Sequence, residues 1–376
     1  MTLFDDPETA APEPRRPLGR GTRAGLWSLA VALVALLGMS FLPTGFVVQQ
    51  PGPVYDTIGE VTDGDGERVP LITIDGATTY PTSGSLDLLT VQVVGSPDRP
   101  VSWLEAVGAW FDRTRTVVPI ESVFPAGQTS GEREQQNAAL MSDSQVEAEA
   151  AAFAHLGYDV DPSVSVASVA DDGAAAGILQ PGDVITGVDG VAASDTRALR
   201  DAVAEGGGAP VVLGIERGGQ ADTVTVTPVA GEDGAWLLGV TVQEQFDLPY
   251  DVTFALTNVG GPSAGMMFAL GMIDLLTPGE LTGGAAIAGT GTITVDGTVG
   301  SIGGIRQKLW GASGAGADYF LAPEANCGEV VGHVPDGLRV FAVGSLDDAL
   351  AAVDAIATGG ELDALPTCTL PQSAEN

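Results

Sequence analysis

A serine and the chain's one lysine are the residues whose types and spacing could break a covalent bond. Ser263 lies in GGPSAGMM, between small residues and just ahead of an apolar run, where a helix is expected to begin. A helix start presents free backbone N–H groups and the positive end of the dipole, which can hold an oxyanion. Gly260 and Gly261 would let a substrate backbone come close. The same position suits a serine that only caps the helix. A serine hydroxyl is a weak nucleophile unless a base takes its proton, so the chemistry depends on finding that base.

Two histidines and one lysine are the candidates. His155 falls in an alanine-rich helical stretch and His333 in a loop. GPSAG fits the G-x-S-x-G pattern of a hydrolase nucleophile elbow, and His333 follows it in the chain. Against that reading, Pro262 restricts the backbone at a turn that must be sharply strained. Lys308 offers another base. Ile305, Lys308, Leu309 and Ala312 fall at i, i+3, i+4 and i+7 of a helix expected from about Ile305, which puts Lys308 on the apolar stripe while Arg306 and Gln307 face away. Burial disfavours the ammonium, so the pKa falls from about 10.4 towards neutrality and leaves an amine able to accept the serine proton. A lysine that snorkels to the surface or pairs with a carboxylate would fit the same stripe. Of the 15 basic residues, 14 are arginine, which marks Lys308 as a place where arginine would not serve.

These residues need particular elements to hold them. YDVTFALTNVGGPSAGMMFALGMIDLL predicts a strand to about Leu256, a glycine loop, and a helix with Pro262 in its first turn and Met266, Met267, Leu270, Ile273 and Leu276 as its apolar positions. GTGTITVDGTVGSIGGIRQKL predicts a hairpin turning at Asp296-Gly297, a glycine loop and the lysine helix. Upstream, LITIDG and LDLLTVQVV read as strands and SWLEAVGAWF as a helix, with no catalytic constellation. Residues 132–155 lack Gly and Pro, are rich in Ala, Glu and Gln, and predict one helix or two.

Between these parts, Ala174 to Gly177, LQPGDVITGVDG at 179–190, a helix from near Ser194 and the strands of PVVLGIERGGQADTVTVTP resemble a PDZ domain. The resemblance implies a peptide added as a strand beside that helix, with its carboxylate held by a loop of amides. The loop would be Leu156, Gly157, Tyr158 and Asp159, a departure from the usual Gly-Leu-Gly-Phe type. GGPSAG and GTGTITVDGTVGSIGGIRQK, with serine and lysine 45 residues apart, resemble the proteolytic domain of Lon-family Ser-Lys peptidases over roughly residues 240–358. That resemblance implies Ser263 as nucleophile, Lys308 as general base and Thr290 as the hydroxyl that orients the lysine. It also implies a homo-oligomeric ring, a hexamer. ATP-dependent Lon has an acidic residue just before its Gly-Pro-Ser, where this chain has Gly260.

The remaining composition sets the context. A net charge of −34 excludes nucleic acid as a partner, because its phosphates would be repelled. No charge interrupts Ala24 to Val48, long enough for a transmembrane helix that Pro43 bends or ends. Arg15, Arg16, Arg20 and Arg23 precede it, so the positive-inside rule puts the N-terminus in the cytoplasm and the rest outside a cell membrane. Cys327 and Cys368, the only cysteines, leave open a disulfide that ties down the C-terminal tail or two free thiols. Neither has the neighbours of a zinc site, so no metal and no cofactor are expected. No G-x-x-x-x-G-K-[ST] occurs, since the one lysine is already placed, so no ATP is expected to be used.

The expected fold is a multidomain α+β chain. It comprises a cytoplasmic tail (1–23), a membrane helix (24–48), strands and helices (49–155), a β-rich PDZ domain (156–229), an α/β Lon-type proteolytic domain (235–358) and a tail (359–376). The expected function is an ATP-independent, membrane-anchored endopeptidase acting on peptide or protein substrates. A membrane-tethered peptide-binding module with a non-catalytic Lon-type scaffold, and a Ser-His hydrolase using His333, are the alternatives.

Overall fold

The computed structural model describes residues 19–369, apart from 65, 126, 128, 161, 194–195, 232–233 and 257–258. Arg15 and Arg16, and the last residues of the C-terminal tail, lie outside the described residues, as does the expected helix start at Ser194. The chain forms two units.

The first unit takes residues up to Val48 and Val93–Ala126. It opens with helix α1 (Arg20–Phe41), 22 residues long. The stretch Arg20–Ser40 is long and apolar enough to cross a membrane, and none of its hydrophobic window is buried. The expected span to Val48 overshoots. Pro43 cannot continue the helix, and Val47 and Val48 instead belong to a strand, Phe46–Asp56, where both are buried. Helix α2 (Trp103–Trp110) starts at the cap Ser102, whose side chain accepts from Glu105 N at 3.2 Å. Its Ala106 and Ala109 pack with Val48 and Val101 in a small core.

The second unit takes Gln49–Gln92 and residues from 127 onward. Four strands, Ser85–Val94, Ala286–Gly289, Tyr319–Pro323 and Arg339–Val343, run parallel in that spatial order, with Phe46–Asp56 beside the first. Side chains alternate between two buried faces. Ile287, Leu321 and Phe341 point into the larger core, while Ala288, Phe320 and Val340 point into a second one. Helix α3 (Ser130–His155) is one helix rather than two, started by a capping box in which Thr129 and Glu132 satisfy each other's backbone N–H.

A second sheet has the spatial order Gln220–Val226, Val211–Arg217, Val184–Val188, Pro162–Val169, Val240–Phe246, and helix α4 (Thr196–Glu205) packs against it. Asp183, buried in its turn, takes Arg217 in two hydrogen bonds at 2.7 and 2.6 Å and accepts from Gln180 N, and Arg217 holds its carboxyl below the usual range.

Helix α5 (Gly265–Leu276) differs from the amphipathic helix expected. Every residue from Gly265 to Asp274 is buried, because the helix runs through the larger core, where α3 also contributes residues. Helix α6 (Ile305–Ala315) lies on the other face of the sheet. Ile305, Lys308, Leu309 and Ala312 are buried as expected and Arg306 is exposed, but Gln307 is buried too. The helix is covered on two sides, by the sheet and by the short helix α7 (Cys327–Val330), so more than one stripe is enclosed. Helix α8 (Leu346–Thr358) returns to the face of α5, and Cys327 is joined to Cys368 by a disulfide.

Candidate active site

The strand Ala286–Gly289 ends where helices from both faces of the sheet converge, and Thr290 stands just past its carboxyl end. Sites in open α/β sheets form at such strand ends. Ser263 arrives from one face and Lys308 from the other.

Ser263 precedes its helix by two residues instead of lying in its first turn, and Pro262 is correspondingly outside. The cause is local. The Ser263 carbonyl, which in a helix would accept from Met267 N, accepts instead from Gly291 N at 3.0 Å and from Thr290 Oγ1 at 2.9 Å. The helix begins only once Ala264 O accepts from Phe268 N, at 3.0 Å. Ser263 is half-buried and therefore reachable, unlike the helix behind it.

Lys308 is 2% exposed and Thr290 1%. Lys308 Nζ lies 2.8 Å from Ser263 Oγ and 2.8 Å from Thr290 Oγ1. Burial pushes the lysine down from 10.5 to about 7, since taking an ammonium out of water favours the neutral amine. The single proton of the Thr290 hydroxyl goes to the Ser263 carbonyl, so towards Lys308 this oxygen can only accept. One amine N–H is thereby directed at Thr290, and in the neutral form the nitrogen lone pair is available to the serine hydroxyl.

The loop in front of Ser263 is held by α3. Gly261 N donates to Asn137 O at 2.9 Å, and Ser144 Oγ donates to Pro262 O at 2.9 Å. A cleft of about 560 Å³ opens beside this loop, lined among others by Asn137, Met141, Gln145, Phe254, Val259 and Gly260. Gly260 is needed in its place because a Cβ there would come within 2.7 Å of Asn137 Cβ. Gly261 has φ +89°, and its amide is already engaged. Sequence reasoning missed Asn137 and Ser144, because nothing in an alanine-rich helix marks which face meets a loop more than 100 residues further on.

His333 is not part of this arrangement. Its Nδ1 lies 3.2 Å from Val331 O, and among the described residues the side chain bonded to Ser263 Oγ is Lys308.

Leu156, Gly157 and Tyr158, the expected carboxylate loop, close α3 in this structure. Gly157 N donates to Ala154 O and Tyr158 N to Phe153 O, both at 3.0 Å, with Gly157 at φ +83°. This is the Schellman ending of α3, sealed by the Tyr158 ring edge-on to Phe153 at 5.6 Å. With Leu156 N also donating to Ala152 O, the amides of Leu156, Gly157 and Tyr158 all have backbone partners. The groove of this domain lies elsewhere, between α4 and the strand Val240–Phe246. About 470 Å³ in volume, it is lined by Leu199, Arg200, Val203, Trp236, Leu238 and Gly239 among others. Leu237-Leu238-Gly239, followed by the alternating VTVQEQF of 240–246, was the signal in the sequence that could have located it.

Comparison with known proteins agrees with this division. Residues 241–354 match the Lon protease (S16) C-terminal proteolytic domain, and residues 144–227 match the PDZ domain. Lon protease 1 of Sorangium cellulosum is 39% identical over 94 residues, covering 24% of this chain and 11% of that protein. Lon protease of Lachnoclostridium phytofermentans is 33% identical over 107 residues, covering 28% and 13%. The chain thus spans about an eighth of the length of these curated relatives. The solved PDZ domain of an SdrC-like protein from Listeria monocytogenes is 28% identical, covering 21% of this chain and 85% of that one, with a TM-score of 0.20. The chain carries a Lon-type proteolytic domain and a PDZ domain.

Proposed function

We propose that the protein is an ATP-independent serine endopeptidase in which Ser263 is the nucleophile, Lys308 the general base and Thr290 the residue that orients the base. The observation that carries this reading is the 2.8 Å approach of a buried lysine amine, with its pKa near 7, to the Ser263 hydroxyl. As Ser263 Oγ attacks the carbonyl carbon of a peptide bond, its proton passes to Lys308 Nζ. Because Gly261 N is engaged with Asn137, the amides of Ser263 and Ala264 are assigned to the developing oxyanion. Lys308 then protonates the leaving amine, the peptide bond breaks, and Ser263 carries the acyl group as an ester. Water gives a proton to Lys308 as it attacks that ester, and the proton returns to Ser263 on release.

The substrate-binding part of the proposal has two sites. Gly260 lines the cleft beside the nucleophile, where the chain to be cut would lie. The groove along Val240–Phe246 would take a peptide from a protein substrate as an added strand. We draw the catalytic module as residues 49–92, 127–155 and about 240–358, with the PDZ domain inserted. Starting it at residue 235 leaves out Ser85–Val94, which pairs with Ala286–Gly289, and α3, which holds the nucleophile loop. Helix α1 would anchor the protein in the cell membrane with the catalytic module outside. The disulfide fits an oxidising compartment, and Arg20 and Arg23 at the start of α1 fit a cytoplasmic N-terminus. A homo-oligomeric ring, a hexamer, completes the proposal.

The test is a serine-reactive phosphonate together with turnover of a peptide substrate. Ser263→Ala should abolish both, Lys308→Ala should abolish turnover with the fold intact, and His333→Ala should keep most of each. An inactive His333→Ala variant beside an active Lys308→Ala variant would overturn the dyad.

A further inference from the structure

We propose that α2 is an interfacial helix that lays Leu104, Trp110 and Phe111 into the headgroup–acyl boundary of the bilayer holding α1. The proposal rests on the membrane reading of α1 given above.

The helix is apolar on the side that no described residue covers. Ala106 and Ala109 turn inward to Val48 and Val101. Leu104, Gly108 and Phe111 fall at i, i+4 and i+7 on another side, with Leu104 43% and Phe111 86% exposed, and Trp110 beside them is 56% exposed. A surface helix facing water carries polar residues there, yet Glu105 is the one charged residue from Trp103 to Trp110. Large aromatic residues grouped on an exposed face mark an interaction surface.

Its place in the fold selects lipid as the occupant. Trp103 N donates to Leu42 O at 3.3 Å, and Val101 O accepts from both the N and the Oγ1 of Thr44, at 3.0 and 3.1 Å. Pro43 bridges to Ser102. The first turn of α2 is therefore fastened to the residues that immediately follow α1. A 22-residue helix is roughly 33 Å long, which spans about 30 Å of hydrocarbon and brings these residues to the far boundary. Phe46 sets the two tryptophans, lying edge-on to Trp103 at 6.1 Å and to Trp110 at 6.4 Å. Tryptophan rings prefer that depth, where one edge is apolar and the other wet. The charges agree as well. In a chain of net charge −34, the stretch 98–115 around the helix balances Arg99, Arg113 and Arg115 against Asp98, Glu105 and Asp112, so it carries no net charge to repel a lipid headgroup.

The experiment uses the full chain in vesicles of phosphatidylcholine and phosphatidylglycerol, with and without lipids brominated at a shallow acyl position. Tryptophan emission is compared for the parent protein, Trp27→Phe and Trp110→Phe, with phosphonate labelling of Ser263 as the check on folding. Trp27 lies within α1, so loss of a quenchable component in Trp27→Phe reports insertion of that helix. We expect Trp110→Phe to lose a further quenchable component of its own. Quenching that depends on Trp27 but not on Trp110 overturns the interfacial role and leaves the anchor standing. Quenching at neither overturns the membrane reading and this inference with it. If Trp110→Phe fails the folding check, Phe111→Trp replaces it. Its added emission must then be quenched by the brominated lipid, and unquenched emission counts against the proposal.

Discussion

Lys308 and Ser263 meet at 2.8 Å although the helix that carries the lysine and the helix that follows the serine lie on opposite faces of one sheet. The meeting point is the end of the strand Ala286–Gly289. There Thr290 binds the Ser263 carbonyl with its proton and the lysine amine with its lone pair.

Activity should follow the deprotonation of Lys308. With the amine at about 7, kcat/KM is expected to rise with pH through an apparent pKa near that value and to fall in acid while the protein remains folded. The sign for stability is the opposite of a salt-bridged lysine's. The folded pKa lies below the unfolded one, so burial of Lys308 opposes folding in full below about pH 7, less between there and about 10.5, and not at all above. Lys308→Met should therefore be inactive and at least as stable as the parent at pH 6, by chemical denaturation. A limb near pH 10 in the activity profile would exclude this lysine as the base.

Thr290 should act by position. Thr290→Val removes the acceptor that fixes the amine and the donor to Ser263 O while nearly keeping the volume. We expect kcat to fall about 10²-fold, the scale of a misplaced catalytic group, with KM little changed. Thr290→Ser, which keeps the hydroxyl, should recover most of the rate. Equal losses in both variants would assign Thr290 to packing alone.

How much of this could be read from the sequence depends on range. The stripe Ile305, Lys308, Leu309, Ala312 is a property of one helix, and its burial was legible in the 3.6-residue period. The start of α5 was not, because the bonds that delay it run from Thr290 and Gly291 to the Ser263 carbonyl. Gln307 was turned the wrong way because α6 is enclosed on more than the stripe that its period marks as apolar. That Leu156–Tyr158 closes α3 was not legible either, because a helix end and a loop of amides use similar residues and the α3 bonds that decide between them are backbone bonds. The strand that borders the groove comes later in the chain, at Val240–Phe246, beyond residue 229, where the PDZ reading stopped.

The groove beside that strand should select protein substrates without touching the chemistry. Arg200 is exposed on α4 at its rim, and reversing its charge should alter peptide capture there. We expect Arg200→Glu to slow cleavage of a protein substrate several-fold while leaving a short peptide unaffected. Tyr158→Phe should change neither rate. A Tyr158→Phe defect confined to protein substrates would assign peptide contact to the Tyr158 side chain.

The disulfide should support the base as well as the tail. Cys327–Cys368 closes a loop of 41 residues, and the restriction it places on the unfolded chain corresponds to about 4 kcal/mol. The tail it holds is also tied to the sheet, with Ala342 N donating to Pro366 O at 2.9 Å. On the other side of the bond, Asn326, next to Cys327, clasps the Ile302 backbone twice: Ile302 N donates to Oδ1, and Nδ2 donates to Ile302 O, both at 2.9 Å. Ile302 leads through Gly304 straight into α6 and Lys308. Cys368→Ser, or reduction of the parent, should therefore lower the unfolding temperature. It should also cost activity below that temperature, as the loop before α6 loosens. Asn326→Ala keeps the disulfide and loses the clasp, so it should reproduce the activity loss with the smaller change in stability. If Cys368→Ser melts with the parent, the bond contributes nothing to the fold. If it melts early but keeps full activity up to unfolding, the path from the disulfide through Asn326 to Lys308 is absent.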